Sequence, residues 1–504
     1  MPQKNSLATV IQALFYGALL TLAFSPFSLS LFAFISLCGF FYLLSQCPTF
    51  KWAILTGYSY GIGFFATSVS WVYVSIDAFS HSWFLSTSLT ALFIAILGLF
   101  FLVFALMCRF AHKNHLSQMF LYPVFWVALE LVRTDLFTGF PWGLLGYSQT
   151  NNFLSAYAAT GGVFLVSFIT VFIAISFNHF IANLKDKKIA PATGCLAAIL
   201  ITLSIGFILS RIDWTKPYGK ANSVSIVQGN FPQMQKWDPM ALQTIMTDYY
   251  QMTASHPAQL VFWPENAIPT FKPYIEGFLN QVNSLGEKQN SAVLVGTVDA
   301  HQNGQYFNAA FVYGKGHGHY YKHHLVPFGE YYPFAWFLKP FMHFFHIPMS
   351  SFTQGTAIQP LLNMNGIGVA VYICYESAYP LQVQRQLQNA ALIAVISDDG
   401  WFGDSLAPWQ HEEIAQMRAI ETGRYVVQAT NNGISSIINP KGKVIARLPQ
   451  NVQAVLGGRI TPMQGTTPWL KYGLYPMILL GIFFMLIAFF RENSCHRKYK
   501  PSNA

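Results

Sequence analysis

Three residue types with the makings of covalent chemistry stand on separate stretches of this chain: Glu265 in "FWPEN", Lys322 in "YYKHHLVPFGEYYP" and Cys374 in "VAVYICYES". A thiol nucleophile needs a base to take its proton and a cation or dipole to hold the oxyanion it creates. A glutamate in an apolar, partly dry site has its pKa raised and can accept that proton. An ammonium over a strand tip stabilises developing negative charge. Glu330, eight residues beyond Lys322, can fix the ammonium through a charge-assisted hydrogen bond. Taken singly, each has a plainer reading: Cys374 as a small buried hydrophobe, Glu265 as a solvated loop carboxylate, Lys322 as a surface charge.

The elements that must position these groups are α/β in pattern. From about Ala221 to Gly458, short runs rich in Val and Ile ("SVSIVQGN", "QLVFWPEN", "AVLVGTV", "VAVYICYE", "LIAVISDD", "RYVVQATNN") alternate with stretches of helical period such as "PMALQTIMTDYYQM" and "APWQHEEIAQMRAIETG". That alternation implies central strands covered on both faces. Most of the runs end in a polar cluster: Gln228-Gly229-Asn230, Glu265-Asn266, Cys374-Tyr375-Glu376, Ser397-Asp398-Asp399, Asn431-Asn432-Gly433. Ligands of open α/β sheets gather outside the carboxyl ends of the strands, so several clusters are expected to share one crevice.

The remainder is membrane-like. Of 504 residues 53% are hydrophobic and only 10% charged, too little charge to solvate an ordinary globular surface. Apolar runs long enough to cross a hydrocarbon core of about 30 Å lie near Leu7 to Phe24, Leu29 to Ser45, Trp52 to Ile76, Phe84 to Cys108, Gln118 to Leu136, Leu154 to Asn178, Pro191 to Leu209 and Leu470 to Phe490. About eight crossings are expected. The first run has no cleavage site before Pro26 and reads as a retained anchor. Lys4, Lys51, Arg109 with Lys113, Lys185 with Lys187 and Lys188, and the tail Arg491, Arg497, Lys498, Lys500 fall on alternate loops. The basic side is cytoplasmic. Both termini are therefore expected in the cytoplasm and the α/β segment on the outer face of the membrane. Glu130 and Arg133, three apart on the fifth span, share one helix face and can pair with each other.

Other classes find little support. The charge of +9 follows largely from the topology, and no basic stripe interleaved with aromatics suggests nucleic acid. The adjacent His323 and His324 lack metal-ligand spacing, and "GKGHGH" lacks the residues of a dinucleotide or phosphate loop, so neither a metal nor a cofactor is expected. The six cysteines are not spaced as pairs, and only Cys374 lies in the α/β segment. A transporter would show broken helices in repeated halves; no such repeat is visible.

In that order "FWPEN", "YYKHHLVPFGEYYP" and "ICYES" resemble the Glu-Lys-Cys motifs of the nitrilase superfamily of carbon-nitrogen hydrolases. More narrowly the chain resembles the bacterial apolipoprotein N-acyltransferases, through "SWVYVSI", "WVALELVRTDLFTGFPW", "HIPMSSFTQG", "DDGWFGDS", "QHEEIAQMRAIETGR" and "ATNNG". The resemblance implies a transmembrane domain over 1–212, a nitrilase-like four-layer αββα domain over 221–460, a last transmembrane helix over 468–491 and a basic tail over 492–504. It implies Cys374 as nucleophile, Glu265 as general base and Lys322 as oxyanion stabiliser, with Glu330, Tyr375 and Glu376 in support. Trp237, Trp401, Phe341 and Met349 would meet substrate, and Phe344, Phe345, Ile347 and Pro348 would join an apolar entrance. Asp398 stands where the family's "N-D-x-W-F-G" carries Asn.

The implied reaction moves an acyl chain from a phospholipid, through a thioester, to the α-amino group of a diacylated apolipoprotein. The enzyme would act as a monomer in the bacterial inner membrane, with its catalytic domain on the periplasmic side. A membrane-tethered amidase or nitrilase, with water as acceptor, has the same three residues and stays open at this point.

Overall fold

The computed structural model describes residues 6–114, 116–332, 351–387 and 389–498; Phe341, Met349, Phe344, Phe345, Ile347 and Pro348 lie outside them. By contacts the chain divides into two compact units, one of Met1–Ile212, Ser405–Glu413 and Thr467–Ala504, the other of Asp213–Asp404 and Ile414–Thr466.

The first unit is helical. Among the described residues, three of its helical stretches are long and apolar enough to cross a membrane: Trp83–Lys113, Phe153–Lys185 and Ile189–Ser210. Further helices cover Ser6–Leu20, Leu31–Ser45, Phe50–Ser68, Trp71–Ser80, Gln118–Asp135 and Tyr475–Lys498. The run expected as one span near Trp52 to Ile76 is therefore two helices, interrupted at Val69 and Ser70. Helices Ser6–Leu20 and Phe50–Ser68 meet backbone to backbone: a Cβ on Gly17 would strike the Tyr60 carbonyl, and one on Gly63 the Leu14 carbonyl. Small residues at such crossings let apolar helices approach where no hydrophobic force distinguishes neighbour from lipid.

Glu130 and Arg133 direct their hydrogen bonds to nearby backbone and to Trp126 rather than to each other. Arg133 donates to the carbonyls of Phe140 (2.8 Å), Trp142 and Gly143, while Glu130 Oε1 accepts from Trp126 Nε1 (3.0 Å) and the Leu145 amide (2.7 Å). The pair thus clamps the "TGFPW" turn that comes after its helix. Within the same unit Gln410 Oε1 accepts from both Trp142 Nε1 (2.9 Å) and Trp71 Nε1 (3.2 Å).

Among the described residues the second unit holds two seven-stranded sheets and a two-stranded ribbon. In chain order the strands are β1 (Thr215–Pro217), β2 (Asn222–Gln228), β3 (Leu260–Phe262), β4 (Ile268–Phe271), β5 (Ala292–Ala300), β6 (Tyr306–Gly314), β7 (Gly316–His317) and β8 (His319–Tyr321). They continue as β9 (Leu362–Met364), β10 (Ile367–Ile373), β11 (Leu392–Ser397), β12 (Tyr425–Thr430), β13 (Ser436–Ile438), β14 (Val444–Arg447), β15 (Ala454–Ile460) and β16 (Met463–Gly465). One sheet runs β15-β2-β3-β5-β6-β8 with β4 on β5; the other runs β14-β13-β12-β11-β10-β9-β7; β1 and β16 pair separately.

Each sheet has a parallel centre, β2-β3-β5 in one and β10-β11-β12 in the other. That is why "LVF", "VAVYI" and "LIAVI" read as unbroken apolar runs: both of their faces are buried. One core cluster draws Val224, Ile226, Leu260 and Phe262 from the first sheet and Val369, Val371, Ile373, Leu392 and Ile396 from the second. On the first sheet's other face Trp263, Val261 and Val293 pack against Ile245 and Tyr249 of helix Leu242–Ser255 and Leu279 and Val282 of helix Glu276–Gln289.

Candidate active site

The carboxyl ends of β2, β3, β8, β10, β11 and β12 carry the polar clusters read from the sequence, and hydrogen bonds join them. Asn431, after β12, takes the Asn230 amide on its carbonyl (2.7 Å) and exchanges side-chain bonds with the Phe231 backbone (3.1 and 2.8 Å). Asp398, after β11, donates its amide to Glu265 Oε2 (3.0 Å), after β3. Lys322, after β8, donates from Nζ to Glu265 Oε1 (3.0 Å) and Glu330 Oε1 (2.9 Å). All three side chains are buried, so the ammonium sits between two carboxylates with little water to screen them.

Cys374 is the first residue after β10, buried, with φ of +58°. A side chain in that left-handed conformation is uncommon outside Gly, Asn and Asp. It carries the thiol off the line of the strand. The Lys322 ammonium and the Cys374 thiol lie close enough to shift each other's protonation.

Glu376 ties the strand that ends at Cys374 to the segment that bears Lys322. Its fully buried carboxylate accepts from the amides of Ile373 (2.7 Å), His323 (2.8 Å) and His324 (2.9 Å), from Gln382 Nε2 (2.9 Å) and from the Tyr320 hydroxyl (3.1 Å). Ile373 precedes Cys374, and His323 follows Lys322. Tyr375 reaches the Leu325 carbonyl through its hydroxyl (3.1 Å).

Two buried groups in the cluster have no counterpart in the sequence reading. Asn308, near the start of β6, donates from one nitrogen to Glu265 Oε1 and Glu330 Oε1, both at 2.7 Å. Its only signal is a single amide among the apolar residues of "YFNAAFVYG". Lys236 forms a buried ion pair with Asp398 and also reaches the Glu265 carbonyl (3.3 Å). Trp237, next in the chain, is 46% exposed; Trp401 is partly buried in the turn Asp399–Phe402. Among the described residues no group of three His, Cys, Asp or Glu could hold a metal ion.

The electrostatics correct one expectation. Burial pushes the Glu265 carboxyl up, but Lys322, the Asn308 amide and the Asp398 N–H outweigh it and hold the group below the usual glutamate value. Burial pushes the Cys374 thiol well above the usual thiol range, with Glu265 adding to the rise and Lys322 opposing it. Burial works against the Lys322 charge, yet Glu265 and Glu330 keep it an ammonium. At rest the cluster is thus a carboxylate, a thiol and an ammonium.

Comparison with known proteins places this arrangement. Residues 16–176 match the family description "Apolipoprotein N-acyltransferase N-terminal domain", and residues 223–466 match "Carbon-nitrogen hydrolase". An apolipoprotein N-acyltransferase of Coxiella burnetii is 38% identical over 488 residues, spanning 95% of this chain and 99% of that one. One of Azotobacter vinelandii is 38% identical over 96% of this chain and 95% of its own, and one of Pseudomonas aeruginosa 36% over 92% of each. With likeness of that depth running through both units, the chain belongs to the apolipoprotein N-acyltransferases, membrane acyltransferases that carry a carbon-nitrogen hydrolase domain.

Proposed function

We propose that Cys374 is the nucleophile, Glu265 the general base and Lys322 the oxyanion stabiliser of a ping-pong acyl transfer from a phospholipid to the N-terminal amine of a diacylated apolipoprotein. The observation that carries this reading is the Lys322 ammonium held at 3.0 and 2.9 Å by Glu265 and Glu330 beside a buried thiol at the end of β10.

In the first half-reaction the sulfur attacks the phospholipid ester carbonyl while Glu265 takes the thiol proton. Because the resting thiol holds its proton tightly, transfer accompanies attack rather than preceding it. Lys322 balances the tetrahedral oxyanion, a cation worth most in a water-poor site. The ester C–O bond then breaks, Glu265 returns the proton to the leaving alkoxide, and a lysophospholipid departs from a Cys374 thioester. In the second half-reaction the lipopeptide amine attacks the thioester carbonyl. Glu265 takes a proton from the nitrogen and passes it to the departing Cys374 sulfur, leaving an amide on the lipoprotein and the free thiol. Glu330 and Asn308 hold Lys322 and Glu265 at their spacing, and Glu376 and Tyr375 brace the strand ends.

The remaining parts of the reading are topological. Residues 1–212 and 468–491 supply about eight crossings of the bacterial inner membrane, and 221–460 form a four-layer αββα catalytic domain on the periplasmic side. Both termini, including the basic tail 492–504, face the cytoplasm. Trp237 and Trp401 contribute to substrate binding, and the enzyme works as a monomer.

Intact-protein mass spectrometry after incubation with phosphatidylethanolamine tests the chemistry. A hydroxylamine-sensitive acyl adduct absent from Cys374→Ala, and discharged onto a diacylated lipopeptide, is the expected result. An adduct on Cys374→Ala, or one discharged only to water, would refute the transfer mechanism.

A further inference from the structure

Lys236 and Asp398 make a further buried ion pair, joined to Glu265 through its carbonyl and its carboxylate. Their side chains are 0% and 5% exposed. Lys236 closes the single helical turn Gln233–Lys236 and reaches across to the Asp398 carboxylate and the Glu265 carbonyl. Asp398 in turn gives its own amide to Glu265 Oε2 at 3.0 Å and takes Asn431 Nδ2 (3.2 Å) and the Gly400 amide (3.4 Å) on Oδ1. Both ends of Glu265 are therefore bound to this pair: its backbone by the cation, its carboxylate by the residue that carries the anion.

A buried charge survives only when paired and hydrogen-bonded, and removing one partner leaves the other uncompensated. Here the uncompensated charge would lie beside the proposed base. Resting on the reading of Glu265 as that base, we propose that Lys236 and Asp398 are positioning residues for the acyl transfer: a neutral clamp that fixes the Glu265 carboxylate and anchors the turn bearing Trp237. Trp237 comes directly after Lys236, so the clamp also sets where that half-exposed indole starts from the strand ends.

Glu265 is faced by Lys322, Cys374 and Asp398, with Glu330 on the far side of the ammonium; Asp399 bears on Cys374, and the buried Tyr249 phenol is coupled to Asp398. Burial pushes the Asp398 carboxyl up, Lys236 and Asn431 draw it back, and Glu265 opposes its ionisation. The two carboxylates thus repel, and Lys236 offsets that repulsion.

The test is single-turnover acylation of the full-length enzyme by phosphatidylethanolamine from pH 8 down to about 2.5, a range that reaches below the ordinary glutamate value, monitored by intact mass. The variants are Lys236→Met, Asp398→Asn and the double variant, with Cys374→Ala and Glu265→Gln alongside. Lys236→Met, leaving an unpaired anion, should move the acid limb of the rate up by about one pH unit. Asp398→Asn, leaving an unpaired cation, should move it down, and the double variant should return it to within a few tenths of a unit of the parent. The near-isosteric Asp398→Asn keeps the test informative should Lys236→Met fail to accumulate. Acid limbs unmoved in the single variants, or moved the same way in both, overturn the clamp, since a merely structural defect lowers rates without opposite shifts. An acyl adduct persisting in Cys374→Ala would instead bring down the underlying reading of the site, and the clamp with it.

Discussion

Glu376→Gln should separate the two halves of the site without dismantling the domain. The native carboxylate accepts the Ile373 amide on Oε2 at 2.7 Å and the His323 and His324 amides on Oε1 at 2.8 and 2.9 Å, all in a fully buried position. A glutamine can keep only one of those oxygens. With its carbonyl toward the histidine amides, its NH2 group meets the Ile373 N–H, donor against donor. One hydrogen bond to a charged acceptor is then lost, worth about 1.5–3 kcal/mol, and the others lose their charge assistance. The net cost is roughly 3 kcal/mol, felt where the strand of Cys374 meets the segment of Lys322. A displacement of about 1 Å between reacting groups costs on the order of a hundredfold in rate, so thioester formation should fall by about that factor at pH 7. Glu376→Ala leaves three backbone amides unsatisfied, at about 1–3 kcal/mol each, and should not accumulate as a folded enzyme. Acylation rates by intact mass, with thermal unfolding in the same detergent, provide the check. A Glu376→Gln enzyme that acylates within about threefold of the parent at unchanged melting temperature would refute the reasoning.

The same network yields other expectations. The Glu265 carboxyl is held below its usual value, and its base form exists above that lowered pKa; acylation should persist as pH falls through about 4.3, the ordinary glutamate value, and fail only below it. Asn308→Leu removes one amide bond to Glu265, about 1.5 kcal/mol, and should raise that acid limb by about one pH unit; an unmoved limb would count against Asn308 as a partner of the base. Gly296→Ala should sharply reduce acylation, because the added methyl would strike the Pro264 carbonyl and crowd the Glu265 Cα; full activity would show that this strand end yields without consequence.

The sequence reveals the part of this site that is fixed by chain-local pattern. Strands buried on both faces read as unbroken apolar runs, and the polar residues next after each run stand at a carboxyl end, so Glu265, Cys374, Asp398 and Asn431 are legible as neighbours. Lys322 and Glu330 are legible through motif resemblance. Asn308 is not, because its partners come from β3 and the segment after β8, and a lone amide in an antiparallel strand announces nothing about them. Lys236 looks like an ordinary charge on a polar turn; its burial depends on Asp398, 162 residues away. The direction of the Glu265 shift is hidden for the same reason, since burial is readable from flanking apolar residues while the three donors that outweigh it are not. The interruption at Val69-Ser70 is marked only by the hydroxyls of Thr67, Ser68 and Ser70, residues that apolar helices also carry without a break.

The backbone of Cys374 has a cost of its own. A cysteine at φ +58° occupies a conformation that disfavours any side chain, by about 1 kcal/mol or more. Glycine alone would sit there without penalty. The backbone at this position therefore favours a residue with no thiol at all, and the strain relieved in a Cys374→Gly protein should offset part of what is lost with the buried side chain. Durability alone does not call for a thiol at that angle; the proposed role of Cys374 in turnover does.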